Sequence, residues 1–155
     1  MISRYKYHIL LHFIIFLWGF TGILGKLIQL EALYIVWYRV GIASLVIMLY
    51  LLFVKSALSI PKKYWLSLAF VGLVVAAHWV TFYTSIQWST ASLGILCLST
   101  TTLHVAWLEP LIMKKKFSWI EFSLGLVVIG GIYFVSGDFS TQEYWAVVMG
   151  LISAF

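Results

Sequence analysis

Of the 155 residues, 63% are hydrophobic and only 10% are charged, and the formal net charge is +5. A soluble domain carries about 25% charged residues, so this composition excludes a water-soluble globule. The basic residues fall in short clusters between long apolar runs, which argues against a nucleic-acid-binding patch. One cysteine, Cys97, leaves no intrachain disulfide. We therefore expect an all-α, polytopic transmembrane helical bundle.

Five apolar runs approach or exceed the roughly 20 residues that a helix needs to cross about 30 Å of hydrocarbon. In chain order, the predicted helices are 9–27, 33–54, 64–86, 91–113 and 119–136. The first resembles a signal peptide but lacks a small-residue cleavage site and contains Trp18, so we expect it to be retained. A sixth run, from Thr141 to Phe155, would span about 22 Å.

The connections carry helix-start signals. Ser118 with Glu121, and Ser140 with Glu143, have the spacing of a capping box, which satisfies unpaired backbone amides. Small residues recur along the helices, and we expect them to allow close packing in lipid. They are Gly22, Gly25, Gly41, Ser44, Gly72, Ala76, Gly125, Gly130 and Gly131.

The distribution of Lys and Arg predicts the orientation of the chain. With a cytoplasmic N-terminus, the inner ends hold most of the basic residues, and the outer connections hold only Lys26, Glu31, Asp138 and Glu143 as charges. This positive-inside bias predicts a multi-pass protein of the plasma membrane. The inner basic residues are Arg4, Lys6, Lys55, Lys62, Lys63, Lys114, Lys115 and Lys116.

Polar groups inside the membrane are costly and often functional. Arg39 lies about 9 Å below the outer end of the second helix. It either snorkels outward and pairs with helix-end carbonyls or Glu31, or it anchors the helix or contacts an anion at a cavity mouth.

The fourth helix is the most polar, and Gly94, Cys97, Thr101, His104 and Leu108 share one face of it. This face is typical of a pathway-lining helix. Alternatively, the Thr hydroxyls bond the carbonyls four residues back.

Two histidines are the titratable groups deep in the predicted membrane region. His78 and His104 either pack or carry a proton. Glu109, near the inner end of the fourth helix, is expected to pair with the lysines that follow. The substrate-binding candidates are Trp18, Arg39, His78, Trp79, Tyr83, Thr101, His104 and Glu109.

Catalytic signatures are absent from the sequence. There is no His-Glu-x-x-His, no Gly-x-Ser-x-Gly, no phosphate-binding loop and no paired cysteine. We therefore expect no enzyme, no catalytic residue, no metal site and no cofactor.

Several short motifs resemble the drug/metabolite transporter superfamily, EamA type. They are Trp18-Gly19 with Lys26, Tyr38-Arg39, 82–86 leading through 89–92, 117–121, Gly125 and Gly130-Gly131. The chain departs from the family in having Thr100–Thr102 where members often carry a helix-breaking Pro, and Lys114–Lys116 where they often carry Glu.

The resemblance implies a fold of two five-helix repeats in inverted orientation. Residues 1–137 would form the first repeat, and residues 138–155 would start a truncated second one. The implied function is a secondary transporter of a small organic metabolite, such as an amino acid, working as an exporter or permease by alternating access. The chain would then be partial, and its partners would be the lipid bilayer, the solute, and a missing second repeat or a dimer partner. The alternative is a non-transporting membrane scaffold or one subunit of a half-transporter dimer.

Overall fold

The computed structural model describes residues 2–55, 59–135 and 139–155. Over these ranges the chain is helical and contains no β-strand, which confirms the predicted all-α fold. A 3-10 turn at Lys62–Tyr64 leads into the third helix. The helices are α1 (Ile2–Leu27), α2 (Ala32–Phe53), α3 (Trp65–Trp88), α4 (Ala91–Leu98), α5 (Thr101–Met113), α6 (Trp119–Val135) and α7 (Thr141–Ala154).

Four segments of the described chain are long and apolar enough to cross a membrane. They are Tyr5–Leu27, Ala32–Phe53, Lys62–Trp88 and Ala91–Met113. The apolar helix Trp119–Phe134 is shorter. The predicted end of this fifth helix, Ser136, the candidate outer charge Asp138 and the predicted repeat boundary at 137–138 lie outside the described residues.

The prediction of one continuous helix over 91–113 is wrong at its centre. The helix turns at Ser99 and Thr100, where the Thr100 N–H bonds the carbonyl oxygen of Cys97 at 3.0 Å. The hydroxyls of Ser99, Thr100 and Thr101 each donate to the carbonyl oxygen three residues back, at 2.6 to 2.7 Å. The expected bonds to carbonyls four residues back are therefore not formed. Short polar side chains compete with the helical N–H ladder, so three in a row interrupt it without proline.

Helix α3 is the centre of the bundle. It packs against α1, α2, α4 and α7, while α5 packs on α6. Its C-terminal half forms one apolar core with α2, in which Ile35 and Val36 meet Phe82 and Ile86. A second core joins α4, α6 and α7 around Cys97, which is fully buried. The C-terminal half of α3 is thus fixed on several sides.

Some of the predicted small-residue contacts are present. A methyl group at Gly25 would lie 2.5 Å from the Tyr83 ring, and one at Gly22 would lie 2.9 Å from Ile95, so α1 needs glycine to approach α3 and α4 closely. Gly125 likewise meets Leu103. The remaining predicted glycines make no such contact among the described residues, since nothing lies within 4 Å of where an added methyl group would stand on their open helix faces. They are Gly41, Gly72, Gly130 and Gly131.

Lys26 joins the C-terminal ends of α1 and α3. Its Nζ donates to the carbonyl oxygens of Ile86, Gln87 and Ser89 at 3.3, 3.0 and 2.5 Å. These groups stand at the C-terminal end of α3, where carbonyls lack helical partners and a cation is favourable. The Gln87 amide also donates to the Leu30 carbonyl at 2.6 Å. Lys26 therefore bonds the end of α3 rather than its sequence neighbour Glu31.

The predicted capping box at the start of α7 is confirmed. The Ser140 N–H donates to Glu143 Oε2 at 2.9 Å, and the Glu143 N–H donates to Ser140 Oγ. Hydrogen bonds from the Ser140 side chain and backbone hold the pKa of the exposed Glu143 carboxyl below its usual value. At α6 the structure gives the forward bond from the Glu121 N–H to Ser118 Oγ, at 3.4 Å.

Candidate functional site

Arg39 lies in the second turn of α2 and reaches sideways onto α3. Its Cζ stands 3.7 Å from the centroid of the Trp79 ring, and its Nη1 donates to Tyr83 Oη at 2.8 Å. Trp79 and Tyr83 are one helical turn apart, and their rings stack at 5.9 Å. Arg39 is therefore packed between helices, and the alternative of pairing with Glu31 or with helix-end carbonyls is not seen among the described residues.

A cavity of about 390 Å³ adjoins this arginine. It lies between α1 and α2, with Tyr83 of α3 in its wall, and we call it the Arg39 cleft. Its polar lining comes from Thr21, Tyr38, Arg39 and Tyr83, and the rest of its wall is mainly aliphatic. The cleft is thus an apolar cavity with a few converging polar groups, as is usual for small-molecule sites.

Trp18 lies in a separate, smaller cavity. This space of about 220 Å³ is lined by Trp18, Trp79, Phe82 and Ile95, among others. Thr21 lines both spaces, and Trp79, whose ring face meets the Arg39 guanidinium, lines the second one together with Trp18. Of the predicted site residues, Arg39, Trp79 and Tyr83 form one cluster, and Trp18 adjoins it through Trp79.

His78 points to a different side of α3. Its Nδ1 lies 2.5 Å from the carbonyl oxygen of Ser153 on α7. Because a carbonyl oxygen only accepts, Nδ1 carries the hydrogen, and in the neutral ring Nε2 is the acceptor. A cavity of about 500 Å³, which we call the His78 cavity, is lined by His78, Thr81, Thr101, Ser153 and Phe155, among others.

The predicted polar face of the fourth helix does not act as one lining. Thr101 lines the His78 cavity, but His104 bonds the Thr100 carbonyl through Nδ1 at 3.1 Å and meets the Phe155 ring edge-on. Gly94 packs on Ile86, and Cys97 is fully buried. The helix breaks between Cys97 and Thr101. The residues of the predicted face that precede the break are therefore packed against other helices, whereas Thr101, which follows it, faces open space.

Glu109 is held away from both cavities. Its Oε1 pairs with Lys115 Nζ at 2.5 Å, which confirms the expected pairing with the lysine cluster. The hydrogen bond and charge of Glu109 raise the pKa of the exposed Lys115. Glu109 lines neither the Arg39 cleft nor the His78 cavity.

Several lining or fastening residues escaped the sequence reasoning. Tyr38 precedes Arg39 directly, and Thr81 follows His78 by one helical turn, so proximity on a helix was an available signal for both. Thr21 and Ser153 gave no such signal, since tertiary packing alone brings them to the cavities. Ser85 Oγ is buried without a hydrogen-bond partner in the described part of the chain.

Within residues 2–55, 59–135 and 139–155, no group of three His, Cys, Asp or Glu side chains stands close enough to hold a metal ion. No curated protein and no solved structure matches this chain. The model of the EamA-like transporter family matches residues 6–137, which is most of the chain and includes the Arg39 cluster and both histidines. The family consists of membrane transporters, and the motif resemblance is confirmed by this match. The chain belongs to the EamA-like transporter family.

Proposed function

We propose that this membrane transporter chain moves a small organic metabolite, such as an amino acid, as a secondary exporter or permease. The observation that carries the proposal is the Arg39 cluster. A cationic side chain, two stacked aromatic rings and a cavity of about 390 Å³ occur together inside an otherwise apolar bundle. Ionisable groups at such a depth usually mark a solute pathway.

Alternating access is the proposed mechanism. Its support is the interrupted span of α4 and α5, since discontinuous helices commonly form the binding sites of secondary transporters. Thr101, the first residue of α5, lines the His78 cavity beside α3 and α7. A change in the angle between α4 and α5 would alter this cavity directly.

Cysteine protection tests the pathway. In a Cys97→Ala background, a cysteine at Thr101 should react with a membrane-impermeant methanethiosulfonate reagent in proteoliposomes. A panel of amino acids should then be screened for protection. Val127, exposed on α6, provides the lipid-facing control and should stay unreactive. An unreactive Thr101→Cys variant with intact folding would exclude a wet pathway at this position and favour the scaffold alternative.

Flux and crosslinking test how the chain works. Saturable uptake of radiolabelled amino acids by proteoliposomes would support transport directly. For the half-transporter alternative, a cysteine at Gly41, whose helix face is open, should crosslink two copies. We propose instead that a second, inverted repeat covers these open faces, in which case such crosslinks should be absent.

We also propose a plasma-membrane location with the N-terminus in the cytoplasm. The support is the concentration of lysines in the connections around 55–63 and 114–116. A cysteine introduced at Ser59 should be labelled only from the inner side of the membrane. Labelling only from outside would overturn this orientation.

A further inference from the structure

Among the described residues, no acidic side chain neutralises the Arg39 cation of the cleft. The ion pair present in this part of the chain is Lys115 with Glu109, far along the chain from Arg39. Glu31, the acidic residue nearest in sequence, lies just before α2, about 12 Å from Arg39 along the helix axis. An unpaired arginine in the membrane is unfavourable. The Trp79 ring face offsets part of this cost, since a cation is attracted to an aromatic face.

Most hydrogen-bond donors of the cleft are unused. A guanidinium has five N–H groups in a planar fork, and in the described residues one of them bonds, to Tyr83 Oη. Because Tyr83 Oη accepts that bond, its own hydrogen is free to donate elsewhere. The hydroxyls of Thr21 and Tyr38 line the same space. The polar side of the cleft is therefore rich in donors and has no carboxylate to attract an amine.

The remaining wall is aliphatic. Leu24, Ile28, Ile35 and Ile42 line the same space as Arg39. The volume of this space, about 390 Å³, is at the small end of the range for ligand pockets. Such walls favour an apolar group of a few carbons. The planar fork of arginine matches the two oxygens of a carboxylate.

We propose that the Arg39 cleft binds a small carboxylate with a short aliphatic group. The Arg39 fork holds the carboxylate, Tyr83 donates a further hydrogen bond, and the isoleucines and leucine hold the aliphatic part. This specifies the substrate class of the proposed transport function, on which its biological meaning rests. An anionic lipid phosphate is a second possible source of the same charge, and the test separates the two.

Direct binding tests the proposal without requiring flux. The full chain in phosphatidylcholine nanodiscs should bind tritiated 4-methylpentanoate saturably. The uncharged isostere 4-methylpentanamide and the matching amine should not displace it. A wild-type protein that binds no carboxylate, or that binds the amide equally well, would overturn the proposal.

Variants identify the residues involved. Arg39→Gln should weaken binding by about tenfold or more, because it removes a charge-assisted pair. Arg39→Lys keeps the charge and should fold, yet it should still bind more weakly because it lacks the fork. Tyr83→Phe should weaken binding by about fivefold. Lys62→Gln, which removes a cation from the inner connection, is the matched control and should bind like wild type. Unchanged binding in Arg39→Lys and Tyr83→Phe would refute the assignment.

The last binding experiment changes the lipid composition of the nanodiscs. Nanodiscs that also contain phosphatidylglycerol should leave carboxylate binding unchanged. Displacement of the carboxylate by phosphatidylglycerol would show that the cleft holds an anionic lipid and would overturn the proposal. A chain that binds the carboxylate but shows no flux would keep this site and contradict transport by the chain, so the two failures are distinguishable.

Discussion

Gly150→Ala probes the tightest contact between α7 and the rest of the bundle. A methyl group at Gly150 would lie 2.6 Å from Cys97 Cβ and 2.8 Å from Ser85 Oγ. Ser85 Oγ can rotate, but Cys97 Cβ is fixed to the α4 backbone, so α7 must move outward. Overpacking of this kind costs about 1–3 kcal/mol. The expected result is a lower free energy of unfolding and loosened packing of α7 on α3 and α4.

The matched control is Gly72→Ala on α3, where nothing lies within 4 Å of the added methyl group. Both substitutions gain the same helix propensity, so the difference between their free energies of unfolding reports the clash alone. This difference corresponds to about 2–12 °C in the unfolding midpoint for a chain of this size. The single cysteine, Cys97, is fully buried, so a thiol-reactive fluorogenic dye reports its exposure during heating.

Substitutions at Cys97 refine the test. Cys97→Ala keeps Cβ and should not rescue Gly150→Ala, whereas Cys97→Gly removes the clashing atom and should recover part of the loss. Circular dichroism serves as the readout for these cysteine-free proteins. Equal midpoints for Gly150→Ala and Gly72→Ala would refute the packing argument.

Three further predictions use the same unfolding measurements. Lys26→Met should lower stability by about 1 kcal/mol, since it removes a cation from three α3 carbonyls at an exposed site, and Lys62→Met should not. Lys114→Gly should raise stability by about 0.5–1 kcal/mol, because Lys114 ends α5 with φ of 53°; a gain no larger than that of Lys116→Gly would contradict this. The lowered pKa of Glu143 means that its cap stabilises α7 above the usual Glu range and is lost as the pH falls through the lowered value; the Glu143→Gln variant should lack this acid dependence.

The positions of the helices were predictable because the signal is local. Each long apolar run became helical, although α1 begins seven residues before the predicted start and the run 91–113 forms two helices, and Ser140 with Glu143 capped α7 as predicted. The break at Ser99 and Thr100 was not predicted, since the hydropathy of the run continues through it and no proline marks it. Hydroxyl competition for carbonyls is a geometric outcome that composition alone does not determine.

The candidate site was predictable as a set of residue types but not as an arrangement. Arg39 and Tyr83 stand 44 residues apart, and only tertiary packing brings the guanidinium onto α3. The two predicted histidines also lie in different places. His78 is bonded to α7, and His104 is bonded to the Thr100 carbonyl at the start of α5. Glu109 is engaged by Lys115 at the surface. The sequence supplied the intramembrane polar groups, and the packing of α2 and α7 on α3 decided which of them meet.

The hydroxyl-based break between α4 and α5 has a consequence for motion. Proline removes a backbone N–H and clashes with the preceding turn, so a break made by proline is permanent. Ser99, Thr100 and Thr101 all keep their N–H groups, and their hydroxyls bond carbonyl oxygens of the preceding turn at 2.6 to 2.7 Å. No covalent obstacle therefore prevents this segment from forming the regular N–H ladder, whereas a proline segment cannot form it. We expect the joint to act as a reversible hinge, and straightening it would carry Thr101 and all of α5 relative to α3.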